Sequence, residues 1–164
     1  MECGECGYRY DALERAALAD AIRDFGPRYR AVLATNADVL RAHPIAGMWS
    51  ALEYGCHMRD VLRIQRERMM LALREEQPTF TSMRRDERAV EERYNEQSPK
   101  QVAFDLATAA GGLADDLDRL DDAGWARTGV YSYPAPEVRT VEWIARHTIH
   151  EGVHHLMDIE RLLS

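Results

Sequence analysis

Residues 147–155 read HTIHEGVHH, so four of the six histidines in this 164-residue chain fall within nine positions. His150 and His154 are four residues apart, just over one helical turn, which puts both imidazoles on one face of a helix. His57, in an upstream helix-like segment, would complete three protein ligands around a divalent metal. Three ligands with a coordination position left open are typical of a reactive metal site.

The helix that begins at Thr140 places these histidines away from its apolar side. One stripe, opposite the apolar centre of the helix, contains Trp143, His147, His150, His154 and Met157. We therefore expect the stripe to line an open groove at the edge of the domain. The alternative is a solvated face that is rich in histidine without binding a metal. For His147 and His155 the sequence leaves two further roles open, as partners that orient the ligands or as substrate contacts.

Composition and charge limit the class of protein. Ala, Leu, Arg, Glu and Asp dominate the sequence, which favours one all-helical domain. We place this domain at residues 12–164, after an N-terminal C-x-x-C segment at residues 1–11. The net charge of −7 argues against nucleic-acid binding. The N-terminus lacks the apolar stretch of a signal peptide, and no apolar run approaches the roughly 18 residues of a membrane span, so we expect a cytoplasmic protein without membrane contact.

Apolar periodicity predicts four helices, and hence an up-and-down-type four-helix bundle. Their predicted ranges are 12–35, with a kink at Gly26-Pro27, then 48–74, 98–121 and 140–164. Ser98 as N-cap with Pro99 behind it marks the start of the third helix. Residues 78–97 are predicted to be a polar connection with a short helical piece. Residues 122–139 are predicted to be a loop that contains Trp125, Tyr131, Tyr133, Pro134 and Pro136.

Cys3 and Cys6 have the spacing of half a zinc knuckle, and the chain has no second C-x-x-C pair. Three arrangements would use them: two chains that share a four-cysteine zinc site, distant donors in the same chain such as His43, or a redox-active thiol pair. A disordered terminus without a site is the remaining alternative. Cys56 adjoins His57 on a helix and points about 100° away from it, so we expect a buried inert thiol there.

The spacing of His57, His150 and His154, together with its flanking residues, resembles that of the DinB-like superfamily of metal-binding four-helix bundles, which includes the bacillithiol and mycothiol S-transferases. The resemblance extends over about residues 12–164. Four stretches carry it: 49–60 (WSALEYGCHMRD), 85–94 (RDERAVEERY), 125–129 (WARTG) and 140–155 (TVEWIARHTIHEGVHH).

The resemblance implies that His57, His150 and His154 bind one divalent ion, either Zn, Ni, Mn or Fe. It also implies that water or a thiolate occupies the open positions, and that the metal activates this group as a nucleophile. Four carboxylates are candidates to orient the ligands: Glu53, Asp60, Glu151 and Asp158. The mycothiol-dependent maleylpyruvate isomerase branch has a Glu in place of His150 and a further C-terminal domain, so an all-histidine site resembles the stand-alone S-transferases more closely.

Three functions from different classes follow from these patterns. The first is a metal-dependent S-transferase that joins a low-molecular-weight thiol such as mycothiol to a small electrophile. The second is a metal-dependent hydrolase that uses bound water. The third is a non-catalytic module of the stress response that binds a metal or a partner. For all three, a homodimer is the assembly we expect, and a second zinc at Cys3 and Cys6 remains open.

Overall fold

The computed structural model describes residues 2–132 and 135–164, so Tyr133 and Pro134 of the expected loop lie outside the described residues. Within these ranges the chain forms eight α-helices, two 3-10 turns and a two-stranded sheet. The helices are α1 (Leu18–Arg23), α2 (Phe25–Leu33), α3 (Ala37–Arg41), α4 (Ala51–Arg74), α5 (Arg85–Glu91), α6 (Pro99–Leu117), α7 (Asp122–Ala126) and α8 (Val141–Leu163). The 3-10 turns are Arg15–Ala17 and Tyr94–Glu96, and the strands are β1 (Thr128–Tyr131) and β2 (Glu137–Thr140).

The predicted four-helix bundle is confirmed, with α1 and α2 together as its first helix and α4, α6 and α8 as the other three. The order of these helices around the bundle is not their order along the chain. α4 packs against both α6 and α8, α2 packs mainly against α6, and α1 lies against α6 and α8. The pairing of α4 with α8 brings His57 opposite the histidine-rich helix.

Side-chain caps start the long helices where the sequence indicates. The Ser98 hydroxyl accepts a hydrogen bond from the Gln101 amide, and Pro99 occupies the first helical position of α6. Thr140 caps α8 by accepting from the Trp143 amide at 3.1 Å. α4 begins at Ala51, three residues later than predicted, because Ser50 and Glu53 form a capping box there.

The break in the first helix lies at Asp24 and not at Gly26-Pro27, where the sequence placed it. Pro27 is the third residue of α2, a position at which a helical residue needs no N–H donor. The chain therefore interrupts the helix one residue ahead of Phe25 and restarts it with the proline in the first turn.

The prediction of a loop over residues 122–139 is wrong. The segment contains helix α7 and two short antiparallel strands, β1 and β2. β1 pairs with β2 in a register that joins Thr128 to Thr140. A segment distant in sequence supports the hairpin: the Val130 amide donates to the Pro78 carbonyl at 2.8 Å, and the Phe80 amide donates to the Val130 carbonyl at 2.9 Å. Tertiary contact of this kind stabilises strands too short to be recognised from their own pattern.

The N-terminal segment folds back on itself and lies against α8. The Cys3 amide donates to the Tyr8 carbonyl and the Gly7 amide to the Cys3 carbonyl, both at 2.9 Å. Gly7 has φ +70°, a left-handed conformation that glycine adopts without strain and that closes the turn. In the part of the chain that the structure describes, no helix combines the length and apolarity needed to cross a membrane.

Candidate metal centre

Three groups of metal-binding side chains occur among the described residues, and in each group the donor atoms lie within 4.8 Å of one another. The first is His57, Glu151 and His155, the second is Cys3, Cys6, His150 and His154, and the third is His147, His150 and Glu151. All three include residues of α8.

The first group lies between α4 and α8 and is the most deeply buried. His57 is 2% exposed and His155 is 7% exposed, and their ring centroids are 4.9 Å apart. Within the described residues, the buried Nδ1 of His57 has no hydrogen-bond partner. Because buried polar atoms are nearly always paired, an unpaired imidazole nitrogen beside two other donors fits a metal ligand.

The carboxylate of Glu151 faces two sides of this cluster. Its Oε2 lies 3.4 Å from Nε2 of His155, and its Oε1 lies 3.6 Å from Nδ1 of His150 and 3.8 Å from Nε2 of His147. Burial opposes ionisation, but the adjacent imidazole of His155 outweighs it and lowers the pKa of Glu151 to about 2. An ionised carboxylate therefore stands in the cluster at neutral pH, ready to bind a cation.

Asp158 orients His155 from one turn further along α8. Its Oδ2 lies 3.2 Å from Nδ1 of His155. When Nδ1 donates to this carboxylate, Nε2 is left with the lone pair that a metal needs, the arrangement common to metal-ligating histidines. Burial would lower the pKa of His155, but Asp158 and Glu151 reverse that effect and raise it above its ordinary value. A metal bound here would displace the proton.

The pKa of His57 is shifted in the opposite direction from that of His155. Its burial, with the charge of His155 as the next cause, lowers its pKa to about 3. The ring is therefore neutral at physiological pH, the form that binds metals. Two aromatic rings fix the pair in place: Trp49 lies 5.0 Å from the ring centre of His57, and Tyr54 lies 5.3 Å from that of His155.

The structure divides the predicted trio of His57, His150 and His154 between two groups. His57 lies with Glu151 and His155, whereas His150 and His154 lie with the N-terminal cysteines. Successive helical residues are rotated by about 100°, so a pair displaced by one residue points to a different neighbour. His155, left open by the sequence, is thus a donor beside His57, and the signal that could have found it is its four-residue spacing from Glu151.

The predicted stripe on α8 is half-buried, because the N-terminal segment covers it. The Tyr10 hydroxyl lies 2.8 Å from Nδ1 of His147 and 3.3 Å from Nδ1 of His150. The ring of Tyr8 stacks on that of His150 at 5.8 Å. The open groove expected at this face is therefore occupied by residues 3–10.

The two cysteines of the second group differ in acidity. Backbone amides of Cys6 and Glu5 are the main donors to the Cys3 sulfur and lower its pKa to about 7. Burial raises the pKa of Cys6. Cys56 is buried, as predicted, and burial raises its pKa to about 12, so it remains a thiol.

The four candidate orienting carboxylates have different roles. Asp158 and Glu151 belong to the cluster. Glu53 instead caps α4, and its carboxylate lies 2.8 Å from Nε2 of the exposed His43.

Asp60 also lies outside the cluster. It forms a buried ion pair with Arg59 and accepts a hydrogen bond from the Tyr94 hydroxyl. Sequence proximity to His57 therefore did not predict contact with it.

The third group shares His150 with the second group and Glu151 with the first. A metal held by it would compete for both residues. It therefore marks where the other two groups adjoin on α8 and is the weakest candidate of the three.

These features define a helical bundle with a buried candidate metal centre on its second and fourth long helices. The DinB superfamily model matches residues 27–159, and the chain belongs to that superfamily. The fold matches that of YfiT from Bacillus subtilis, described as a probable metal-dependent hydrolase with an unusual four-helix bundle topology. The TM-score is 0.81 with 15% identity, over 93% of this chain and 91% of that one. No protein of curated function matches the sequence.

Proposed function

We propose that this protein is a metal-dependent enzyme in which His57, Glu151 and His155 hold one divalent ion. The observation that carries the proposal is the buried group of two imidazoles and one ionised carboxylate between α4 and α8. Three protein ligands leave at least one coordination position for a reactant. Membership of the DinB superfamily and the fold shared with YfiT support the same function.

The donor set fits several metals. Two imidazole nitrogens and a carboxylate oxygen suit Zn, Ni, Mn or Fe. When bound, the ion would supply Lewis-acid chemistry that lowers the pKa of a thiol or a water molecule at its open position. Asp158 holds the ring of His155, and Trp49 and Tyr54 keep the two imidazoles from turning away.

We propose thiol S-transfer as the reaction. A low-molecular-weight thiol of the mycothiol type would lose its proton to solvent, and its sulfur would attack an electrophilic carbon. The C–S bond forms as the bond to the leaving group breaks, and that group departs with its electron pair. The DinB-like superfamily includes the bacillithiol and mycothiol S-transferases, and a thiolate suits the open position of a metal that acts as a Lewis acid.

A hydrolase is the second candidate, in which water takes the place of the thiol. The description of YfiT as a probable metal-dependent hydrolase favours it. The two reactions use the same metal ligands and differ in their nucleophile, so an assay with and without thiol separates them.

The test starts with untagged protein purified without chelator. Elemental analysis gives the metal content, and the metal-loaded protein is assayed with mycothiol and a haloalkyl electrophile, and separately with a nitrophenyl ester. We expect thiol conjugation that depends on the metal and is lost in His57→Gln and His155→Gln. His43→Gln is the matched control. His43 is exposed, and its side chain contacts Glu53, which caps α4 and does not belong to the cluster.

Each outcome selects one function. Conjugation that requires the thiol supports the transferase, and ester hydrolysis without thiol that is lost in the same variants supports the hydrolase. Bound metal with neither activity favours the non-catalytic module. Unchanged metal content and activity in both His57→Gln and His155→Gln would overturn the proposed centre.

A further inference from the structure

We propose that Cys3, Cys6, His150 and His154 bind a structural Zn²⁺ ion that fastens the N-terminal segment to α8. These four side chains bring their donor atoms within 4.8 Å of one another. Two thiolates and two imidazoles form the donor set of closed tetrahedral zinc sites, in which the protein fills every position. The proposal is independent of the proposed function, since it shares no ligand with His57, Glu151 and His155.

The cysteine half of the site is a preformed turn. Hydrogen bonds between Cys3 and Tyr8 and between Gly7 and Cys3 close it, and an antiparallel bridge joins Glu2 to Arg9 at its base. The turn brings the Cys3 and Cys6 sulfurs within 4.8 Å of each other, as a C-x-x-C pair that binds one metal requires.

His154 has the geometry of a ligand with an outer partner. Its Nδ1 lies 3.8 Å from the Cys3 sulfur, close to the separation of about 3.6 Å that tetrahedral zinc with ordinary Zn–S and Zn–N bonds requires. On the other side of the ring, Nε2 lies 3.4 Å from a carboxylate oxygen of Glu5. A carboxylate on the second nitrogen is what fixes metal-ligating histidines in orientation.

His150 is arranged in a similar way. Its Nδ1 is 3.3 Å from the Tyr10 hydroxyl, whereas its Nε2 is buried and finds no hydrogen-bond partner in the described part of the chain. Tyr8 stacks on the ring and keeps it in place. The buried, unpaired nitrogen beside two cysteines is explained by a bound ion.

The two sites occupy neighbouring faces of one helix. The pair at 150 and 154 and the pair at 151 and 155 share a four-residue spacing and are displaced by one residue, a rotation of about 100°. One pair meets the N-terminal segment and the other meets α4. Arg146 holds the same segment from α8 by donating to the carbonyls of Tyr10 at 2.7 Å and Leu13 at 2.8 Å.

The test uses untagged protein purified anaerobically and reconstituted with Zn²⁺ or Co²⁺. We expect two metal ions per chain in the wild type. Cobalt in the proposed site should give a thiolate-to-cobalt charge-transfer band and the intense visible bands of tetrahedral coordination. Cys6→Ser and His154→Gln should each lose one ion and the charge-transfer band, whereas Cys56→Ser, the matched cysteine control, should keep both.

His57→Gln separates this proposal from the proposed function. It should lose the ion of the buried group and keep the charge-transfer band. A wild-type protein that folds but gives no charge-transfer band with Co²⁺ would overturn the zinc site, with no need for any variant. So would a Cys3–Cys6 disulfide, detected by mass as the loss of two hydrogens, in protein kept free of oxygen.

Discussion

Glu151 Oε2 and His155 Nε2 are 3.4 Å apart on one face of α8, directed at His57 across the interface with α4. The neighbouring pair, His150 and His154, has the same four-residue spacing and contacts the N-terminal segment instead. A single-residue displacement along the helix therefore separates a candidate reactive centre from a candidate structural one.

Substitution of adjacent histidines tests that separation. We expect His155→Gln to lower the affinity of the buried centre for its metal by more than about 100-fold, because loss of an outer partner alone costs about 10- to 100-fold. His154→Gln should leave that affinity unchanged within the error of competition titration with a chelator. Equal losses in the two variants would show that the donors act as one cluster.

Asp158→Asn tests the orienting role of the carboxylate on Nδ1 of His155. Asparagine keeps the shape of the side chain but removes the charge that polarises the ring. We expect metal affinity to fall about 10- to 100-fold, with the fold intact by circular dichroism. Glu160→Gln, an exposed change on the same helix, is the control. An unchanged affinity in Asp158→Asn would remove Asp158 from the centre.

Gly152→Ala tests how closely α8 packs against α2, and Gly111→Ala, in α6, is the matched glycine variant without a close contact. A Cβ at Gly152 would lie 2.2 Å from the ring of Phe25, which is 1% exposed and cannot move aside. We expect Gly152→Ala to lower the free energy of unfolding by about 1–3 kcal/mol. Gly111→Ala should raise it by about 0.5–1 kcal/mol, because a Cβ there meets no described residue within 4 Å and alanine favours the helix. Urea denaturation measures both.

The free energy of unfolding of the metal-free protein should decrease as the pH falls, because His147 is buried in its neutral form. Burial lowers its pKa to about 4, below the ordinary 6.5 of the unfolded chain. As the pH falls from 6.5 to 4, the unfolded state therefore takes up a proton that the folded state does not. The contribution of His147 to the free energy of unfolding is fully present above pH 6.5 and is lost by pH 4. The loss amounts to about 3 kcal/mol.

His147→Gln should reduce this acid-induced loss by that amount. The measurement is urea denaturation of chelator-treated wild type and variant at pH 7 and pH 4. Identical pH dependences would mean that His147 is protonated in the folded state as readily as in the unfolded chain.

Zinc should protect the N-terminal segment from trypsin at the exposed Arg9. If the ion joins the cysteine turn to α8, opening of the segment becomes rarer, and cleavage after Arg9 should slow by about tenfold or more. In Cys6→Ser the cleavage rate should not respond to zinc. Zinc-independent cleavage of the wild type, followed by mass spectrometry, would contradict a fastened segment.

The sequence predicts the four long helices because their signals are local. Ser98 with Pro99, and Thr140 ahead of Trp143, start α6 and α8 as their residue types indicate. The hairpin at 128–140 was missed, since its strands have four residues each and depend on hydrogen bonds to Val130 from residues about fifty positions upstream. Such long-range pairing leaves no local pattern.

The sequence by itself determined the helical bundle, the histidine-rich face of α8 and the separate cysteine pair, because periodicity and spacing act within a few residues of chain. Only the tertiary structure decided which donors meet. His57 lies with Glu151 and His155, and the cysteines lie with His150 and His154. This arrangement depends on the rotation of α8 in the bundle, where Gly152 packs against Phe25 of α2, and on the path of the N-terminal segment, where Tyr10 contacts His147. A one-residue rotation of the helix changes every partner, and helical spacing alone does not specify that rotation.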